Sequence, residues 1–476
     1  MKYLKYPAFI ATLLLLNGCG SNNNQSAGTT HDTAGTQNKE TMFTPIEGDV
    51  NLMNLAPGHF HASLVQKTMY KSVSPVVHVY APEGPEVDNY LNRIGDYNAR
   101  PENPTSWVEE VYTGTDFLEK MLSNKPGNVM VVSGNNAKKT EYILKTIQAG
   151  IHVLADKPMV ITPEKFTMLE EAFATAEKNG VLLYDIMTER HEITTMLQKE
   201  LSLLPELFGT LQVGTPDEPA ITKESVHHFS KIVSGKPLIR PPWFFDTEQQ
   251  GEGIVDVNTH LVDLIQWEAF PGVTLQKSDV EIVSGRRWTT DLTPAMFQKV
   301  TGLESYPSYL EKDTDGELLK VYSNGEIIYK LKGIHAKASV IWNFQAPEGT
   351  ADTHYSIMRG TKCNLAIRQG EAEGYKPILY IEANQVETPD QFRSSLESAI
   401  KALAQNYPGI ELKEADGLVW KLQIPDTYKV GHEAHFGQVT EKFLGYVGSG
   451  NLPEWEIPNM IVKYYTTTEG MKKAME

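Results

Sequence analysis

Cysteine is nearly absent from this sequence: only Cys19 and Cys363 occur among its 476 residues. Two cysteines exclude the dense disulfide framework with which small secreted domains compensate for a small core. Stability must instead come from hydrophobic burial. A chain of this length, 41% of it hydrophobic, predicts two domains rather than one. Cys363 lies in a strand-like run, where we expect a small buried hydrophobic residue.

Positive charge is also scarce, since the formal net charge is −17. Nucleic-acid binding requires a clustered basic surface, so this charge balance argues against a nucleic-acid partner. It is compatible with an enzyme for neutral small molecules. A metal signature is lacking as well. His432, Glu433 and His435 in "GHEAHF" do not have the H-E-x-x-H spacing, so the sequence predicts no metal site.

The N-terminal apolar run, "PAFIATLLLL", is shorter than the roughly 20 residues that a transmembrane helix needs. It follows Lys2 and Lys5 and ends in "LNGC", which resembles the lipobox of bacterial lipoproteins. We therefore predict a signal peptide over 1–18, lipidation of Cys19, and a disordered polar tether over 19–42. The lipoprotein would face the periplasm or the cell exterior and touch its membrane through the lipid alone. A plain signal peptide with an incidental cysteine is the alternative.

Strand-like and helix-like segments alternate over residues 43–187, which predicts a doubly wound parallel sheet in a Rossmann-type α/β domain. Within it, the polar stretch 82–111 is predicted to be an irregular insertion. Over 188–476 strand-like runs such as "LFGTLQVGT" and "CNLAIRQG" follow one another with few helices. This predicts an α+β substrate-binding domain with a large, mostly antiparallel sheet, through which a homo-oligomer could form. A last helix, "HEAHFGQVTEKFLGYV", carries Phe436, Val439 and Phe443 on one face.

The first strand-to-helix turn, "NLAPGHFHA", is poor in glycine. A dinucleotide fingerprint places glycines at three positions of this turn, so that the backbone can approach the pyrophosphate. Here those positions hold Ala56, Gly58 and His61. The acid expected about 20 residues later is missing from the tip of the second strand, although Glu83 is close to it. The turn alone is a weak cofactor signal, and it leaves NAD and NADP both open.

Two longer motifs are more specific. "AGIHVLADKP" resembles the "AGKHVLxEKP" signature of the Gfo/Idh/MocA oxidoreductases, with Asp156 in place of the usual glutamate. "GEGIVDVNTHLVDLIQW" resembles the "GGGxxxDxxxHxxD" segment of the same family. In the second motif, Asp256, His260 and Asp263 are spaced to share one face of a helix. A solvated acidic face with one histidine is the alternative for that motif alone, but two motifs in the family's order favour catalysis.

The resemblance implies roles for these residues. Lys157 ends a strand at the ligand crevice, and Pro158 restricts its backbone. A lysine there would hydrogen-bond a substrate hydroxyl and stabilise the developing alkoxide, with His260 as general base and Asp256 as a positioning group. Contacts to NAD or NADP are expected from Ala56, Gly58, His59, Phe60, His61, Glu83, Asn135, Asp156 and Lys157. Substrate contacts are expected from Lys157, His228, Lys231, Trp243, Asp256 and His260, although Trp243 could equally belong to the core.

Three functions follow from this reading. The first is an NAD(P)-dependent oxidoreductase acting on a secondary alcohol of a sugar, glycoside or cyclitol, with a tightly held cofactor because free cofactor is scarce outside the cytoplasm. The second is a glycosidase that uses NAD in a transient oxidation at C3, followed by elimination. The third is a sugar-binding lipoprotein that has lost the cofactor. The depleted glycine turn supports this third function, and intact Lys157, Asp256 and His260 argue against it.

Overall fold

The computed structural model describes residues 48–233, 236–384 and 389–476, which belong to one compact unit, Phe43–Glu476. The predicted signal peptide, the tether and the lipidation site at Cys19 lie outside the described residues. Among the helices that are described, none has the length and apolar character needed to span a bilayer.

The N-terminal half forms a six-stranded sheet in which every pairing is parallel, with the strand order β3-β2-β1-β4-β5-β6. This confirms the predicted doubly wound sheet. The short apolar runs of β1 and β4 are buried on both faces, as expected for strands covered by helices on either side. The strands are β1 Leu52–Leu55, β2 Val76–Ala81, β3 Val108–Thr113, β4 Val129–Val132, β5 His152–Asp156 and β6 Leu183–Ile186, and the helices are α1 His61–Leu64, α2 Pro85–Ala99, α3 Phe117–Asn124, α4 Lys139–Gln148 and α5 Phe166–Asn179.

The polar stretch 82–111 is not an irregular insertion, so that prediction was wrong. It contains α2 and most of β3. Pro85 occupies the first turn of α2, where its missing N–H costs nothing, and Val87, Tyr90 and Ile94 form the single buried stripe of the helix. The remaining faces of α2 are polar, which hid the helical period. β3 is an edge strand in which Glu110 is exposed and Glu109 is half-buried.

The C-terminal half is built on a ten-stranded sheet with the order β10-β12-β13-β7-β14-β15-β16-β18-β17, and β11 pairs with β12. All its pairings are antiparallel except that of β13 with β7, which confirms the expected mostly antiparallel sheet. Its strands are β7 Ile221–Ser230, β10 Val280–Leu292, β11 Thr314–Asp315, β12 Leu318–Leu331, β13 Ile334–Gln345, β14 Thr353–Arg359, β15 Cys363–Arg368, β16 Ile378–Ala383, β17 Glu411–Asp416 and β18 Val419–Gln423, with β8 Ile232–Val233 and β9 Lys236–Pro237 as a separate pair.

This half contains more helices than the sequence indicated. They are α6 Ile193–Ser202, α7 Thr247–Gln250, α8 Asn258–Ala269, α9 Pro294–Thr301, α10 Pro389–Asn406, α11 His432–Ser449 and α12 Glu456–Met475. We had predicted a strand over the run "LFGTLQVGT", and that prediction was wrong. The run contributes only isolated bridges at Leu211 and Gly214. Cys363 is fully buried in β15, as expected.

The two C-terminal helices connect the two halves. Phe436, Val439 and Phe443 of α11 are buried in the same hydrophobic core as the parallel sheet, so their predicted common face packs inward. Met460 of α12 belongs to that core too, whereas Val462 belongs to the core of the second sheet. The predicted domain boundary at residue 187 therefore stays a prediction, because α11 and α12, which follow it in the chain, pack into the core of the N-terminal half.

Candidate functional site

A large cavity lies where the two halves meet, at the carboxyl ends of β1, β4 and β5. Its volume is about 1580 Å³, larger than the roughly 300–1,000 Å³ of a typical small-molecule site. In open α/β sheets, ligands bind in this crevice, where the strand order reverses. Eight of the residues predicted from the sequence line it: His59, Phe60, His61, Asp156, Lys157, Lys231, Asp256 and His260.

Lys157 directly follows β5 and projects into this cavity. Its Nζ donates to Asp256 Oδ1 at 2.6 Å, and the two side chains are only 10% and 7% exposed. The second carboxylate oxygen of Asp256 accepts a hydrogen bond from Gln250 Nε2 at 3.1 Å. The peptide bond between Lys157 and Pro158 is cis. Asp256 therefore fixes the direction of the Lys157 ammonium group, as a positioning residue would.

His260 lies in the first turn of α8, on the wall of the same cavity. Its Nδ1 is buried and has no hydrogen-bond partner among the described residues. Burial, reinforced by the positive charge of Lys157, holds the pKa of His260 well below its ordinary value of 6.5. The imidazole is therefore neutral at physiological pH and can accept a proton, as a general base must.

The expected row of three residues on one helical face is only partly correct. Asp256 precedes α8 instead of lying within it. Asp263 turns away from the cavity into a buried ionic cluster, where it accepts hydrogen bonds from Arg190 at 2.6 and 2.7 Å and from Lys463 at 2.9 Å. Lys463 also pairs with Asp185 at 2.7 Å. Asp263 thus connects β6, α8 and α12, and its place in the motif is structural.

The β1–α1 turn packs tightly against the loop after β4. The amides of Gly58 and His59 both donate to the Ser133 carbonyl oxygen, at 3.1 and 3.2 Å. A Cβ at Gly134 would collide with the carbonyl oxygen of Ala56, which is why that loop needs a glycine. Ala56 itself has a left-handed φ of 46°. The amides of Gly58 and His59, which could otherwise face a pyrophosphate, are therefore already used within the protein.

Three side chains converge beside this turn. His61 Nδ1 is 3.0 Å from Asp156 Oδ2, and His59 Nδ1 is 3.7 Å from the same oxygen. Ser133 Oγ donates to that oxygen at 2.7 Å. Burial lowers the pKa of His61. Burial alone would raise the pKa of Asp156, but its hydrogen-bonded neighbours, led by His61, hold it well below its usual range. Asp156 is therefore an ionised carboxylate.

The other predicted cofactor contacts lie off the cavity wall. Ala56, Gly58, Glu83 and Asn135 do not line it, and Glu83 is exposed. Asn135 donates instead to Gln249 Oε1 at 2.7 Å. The sequence reading missed its neighbour Asn136, which lines the cavity and has a buried Oδ1 without a partner among the described residues.

The opposite wall is organised around Asp352. Its carboxylate accepts from Lys231 Nζ at 2.5 Å and is 3.1 Å from the Nδ1 atoms of His227 and His228. Lys231, His227 and Asp352 line the cavity, whereas His228 lies behind them. Asp352 follows an irregular segment without a motif, so no sequence signal could have found it.

Arg240 also lines this wall and was not predicted. Its guanidinium lies 4.3 Å from the Phe244 ring centre and 5.3 Å from that of Trp342. Burial lowers the pKa of Arg240 to about 10, so the side chain remains a cation at neutral pH. Trp243, which we expected at the substrate, is buried in the aromatic core and would meet a Cβ at Gly58 at 3.4 Å.

Glu189 is a further cavity residue that the sequence did not predict. It lies in a short 3-10 helix, Thr188–His191, and lines the cavity. Burial, with repulsion from Glu192 as the next cause, raises the pKa of Glu189 to about 7. The cavity thus contains a carboxylic acid that is half protonated near neutral pH. The segment "TERH" carries no recognisable acid–base motif.

Comparisons with known proteins agree with this architecture. The family model "Oxidoreductase family, NAD-binding Rossmann fold" matches residues 61–185, and "Putative oxidoreductase C terminal domain" matches 197–475. The crystal structure of a "putative oxidoreductase" from Parabacteroides merdae is 54% identical, with a TM-score of 0.89 over 91% of this chain and 99% of that chain. The chain belongs to the Gfo/Idh/MocA oxidoreductase family.

More distant solved structures share the fold. Levoglucosan dehydrogenase, in complex with NADH and levoglucosan, is 11% identical with a TM-score of 0.55, over 90% of this chain and 97% of that chain. GenD2 from gentamicin A biosynthesis, in complex with NAD, is 15% identical with a TM-score of 0.54, over 91% and 96% of the two chains. No curated protein matches the chain.

The volume and the wall residues of this cavity fit the family's nicotinamide cofactor, NAD or NADP, but the β1–α1 turn departs from the usual dinucleotide-binding pattern. The volume, the wall residues Lys157 and His260, and the unpaired Asn136 Oδ1 suit a cofactor at the switch point of the sheet. The amides of Gly58 and His59 in the β1–α1 turn are occupied by the Ser133 carbonyl oxygen, and the NAD-binding family model matches only from residue 61, after that turn. Side chains such as Phe60 and Asn136 would therefore hold the cofactor in place of the glycine amides.

Proposed function

We propose that this family member oxidises a secondary alcohol of a sugar, glycoside or cyclitol, with a tightly held NAD or NADP. The observation that carries the proposal is that one cavity holds a buried ammonium group on Lys157 and a neutral imidazole on His260, whose Nδ1 has no hydrogen-bond partner in the described part of the chain. Alcohol oxidation needs these two groups: a donor to the oxygen and an acceptor for its proton.

Each residue has a separate part in this chemistry. Lys157 donates to the substrate oxygen and stabilises the negative charge that develops on it. His260 accepts the hydroxyl proton, and Asp256 keeps Lys157 aimed into the cavity. The bound nicotinamide would supply the hydride acceptor. On the opposite wall, Lys231 and Arg240 would donate to the other hydroxyl groups of the substrate.

The direct test is product analysis. The purified chain would be incubated with a panel of glycosides, free sugars and cyclitols, together with NAD or NADP and an artificial electron acceptor. We expect a keto sugar with its glycosidic bond intact, detected by NMR, from wild type and far less of it from His260→Ala. If no substrate yields a carbonyl product with any acceptor, the oxidoreductase proposal is wrong.

The NAD-dependent glycosidase is a second candidate, and Glu189 is the observation that favours it. Elimination after transient oxidation at C3 needs an acid for the leaving oxygen, and a cavity carboxyl with a pKa of about 7 suits that role. The two candidates differ in their proton chemistry, because elimination removes the C2 proton whereas hydride transfer leaves it in place. In D₂O, a released sugar carrying deuterium at C2 would establish the glycosidase, and an intact glycoside without deuterium the oxidoreductase.

We further propose that the mature protein is a lipoprotein attached through Cys19, outside the cytoplasm. The support is the "LNGC" boundary and the polar segment that follows it. A location with little free cofactor also favours a retained dinucleotide over an exchanging one. Association through the C-terminal sheet stays a prediction, to be measured by sedimentation of the chain from residue 39 onward.

A further inference from the structure

The β1–α1 turn presents side chains, rather than amides, to the cavity. The amides of Gly58 and His59 are held by the Ser133 carbonyl oxygen, while the imidazoles of His59 and His61 lie beside the carboxylate of Asp156. The ligand atoms of these three residues are all within 4.8 Å of one another. Where a fingerprint turn meets an anionic pyrophosphate, this chain therefore offers two imidazoles and a carboxylate, which suit a cation. His59 Nδ1 accepts the His61 amide N–H at 3.4 Å, and a bound ion would replace this long hydrogen bond.

The donor spacing is close to that of a metal site. Zinc bonds to histidine and carboxylate are about 2.0–2.2 Å long, so tetrahedral donors lie roughly 3.3–3.5 Å apart. The observed separations of 3.0 Å for His61 and 3.7 Å for His59, each measured to Asp156 Oδ2, bracket that value. Small side-chain rotations would be enough to seat an ion between the three residues.

The surroundings support the same assignment. Ser133 Oγ donates to Asp156 Oδ2 at 2.7 Å, and Lys139 Nζ donates to the Asp156 carbonyl oxygen at 3.0 Å. Outer partners of this kind orient the ligands of metal sites. The nearby ammonium group of Lys157 is paired with Asp256 at 2.6 Å, whereas that of Lys139 places a positive charge beside Asp156 that a bound cation must overcome.

A histidine–carboxylate pair alone is not a metal site, and the chain contains an instructive example. His78 Nδ1 is 3.1 Å from Glu110 Oε2, but Glu110 is 63% exposed and the pair belongs to no three-ligand group among the described residues. His59, His61 and Asp156 differ in having three donors, in the burial of His61 and Asp156, and in facing a cavity.

We propose that His59, His61 and Asp156 bind a divalent transition-metal ion of the zinc type, with a remaining coordination position open to the cavity. Two imidazoles and a carboxylate are a usual donor set for such ions, and three protein ligands with an open position are typical of sites that act on a bound molecule. This proposal departs from our sequence prediction of no metal. The proposed metal site does not depend on the proposed oxidation, because binding of the ion can be measured without any turnover.

The test uses the full chain without a histidine tag, stripped of metal with a chelator. Zn²⁺ is titrated by calorimetry, and Co²⁺ by its visible absorption, which is intense in tetrahedral sites. We expect one equivalent to bind. His59→Ala and His61→Ala should each weaken binding by at least about 100-fold, and Ser133→Ala, which removes an outer partner, by roughly 10–100-fold.

His78→Gln is the matched control and should leave the affinity for both ions unchanged. If His61→Ala fails to fold, the less buried His59→Gln carries the same test. The proposal is overturned if neither ion shows saturable binding in the micromolar range. It is equally overturned if binding survives in the His59 and His61 variants, because the ion would then lie elsewhere. Since the readout is binding, these outcomes are independent of whether the oxidation is found.

Discussion

Replacing Lys157 by methionine separates its structural part from its catalytic part. The substitution removes the ammonium group 2.6 Å from Asp256 and leaves that carboxylate in a site where its side chain is 7% exposed. Removing one partner of a buried ion pair costs roughly 3–5 kcal/mol. Gln250 still donates to the other oxygen at 3.1 Å, so we expect the free energy of unfolding to fall by about 3 kcal/mol.

The double variant Lys157→Met/Asp256→Asn gives the decisive comparison. It no longer leaves a stranded charge, so at least half of the lost unfolding free energy should return in urea denaturation followed by circular dichroism. Turnover should not return, because the donor to the substrate oxygen is still missing, and losing one such donor costs roughly 10²–10³ in kcat. Recovery of turnover in the double variant, or normal turnover in Lys157→Met, would refute the assigned role.

Lys277→Met is a matched control for this experiment. Lys277 also forms an ion pair at 2.6 Å, with Glu170, but the two side chains are 45% and 30% exposed. Exposed pairs contribute about 0–1 kcal/mol. A loss of unfolding free energy as large as that of Lys157→Met would show that burial is not the cause.

Four further outcomes are expected. Because the pKa of Glu189 is raised to about 7, the folded state retains a proton that the unfolded chain loses above about pH 4.5. Between pH 5 and pH 8, the free energy of unfolding of the wild type should therefore fall by about 2–3 kcal/mol relative to that of Glu189→Gln. A difference between the two proteins that is the same at both pH values would contradict this. His260→Ala should lower turnover by roughly 10²–10⁴, and its residual activity should rise with pH. Wild-type activity should persist below pH 6.5, since burial lowers the His260 pKa. Parallel pH profiles of the two proteins would exclude His260 as the general base. Denatured protein should release NAD or NADP, detected by mass spectrometry, and its absence together with no binding by calorimetry would favour the sugar-binding alternative. The Cys19→Ser variant should no longer partition into the detergent phase. If it still does, Cys19 is not the site of lipidation.

The parallel sheet could be predicted because its evidence is local. Apolar runs such as those of β1 and β5, separated by amphipathic segments, lead to strands and crossover helices wherever both sheet faces are covered. The same reasoning failed at α2, whose buried stripe is narrow and whose other faces are polar. It also failed at "LFGTLQVGT", because an alternating pattern becomes a strand only if a neighbouring strand is in register with it.

The sequence by itself determined the family resemblance, the parallel and antiparallel halves, and the candidates Lys157, Asp256 and His260, because each rests on residues that are close in the chain. Only the tertiary structure brought Glu189, Arg240 and Asp352 to the cavity, and turned Asp263 away from it. Burial, which is the main cause of the pKa shifts of Glu189 and His260, and the charge of Lys157 beside His260 arise from segments far apart in sequence. Such contacts depend on how helices and sheets pack, and no local pattern records them.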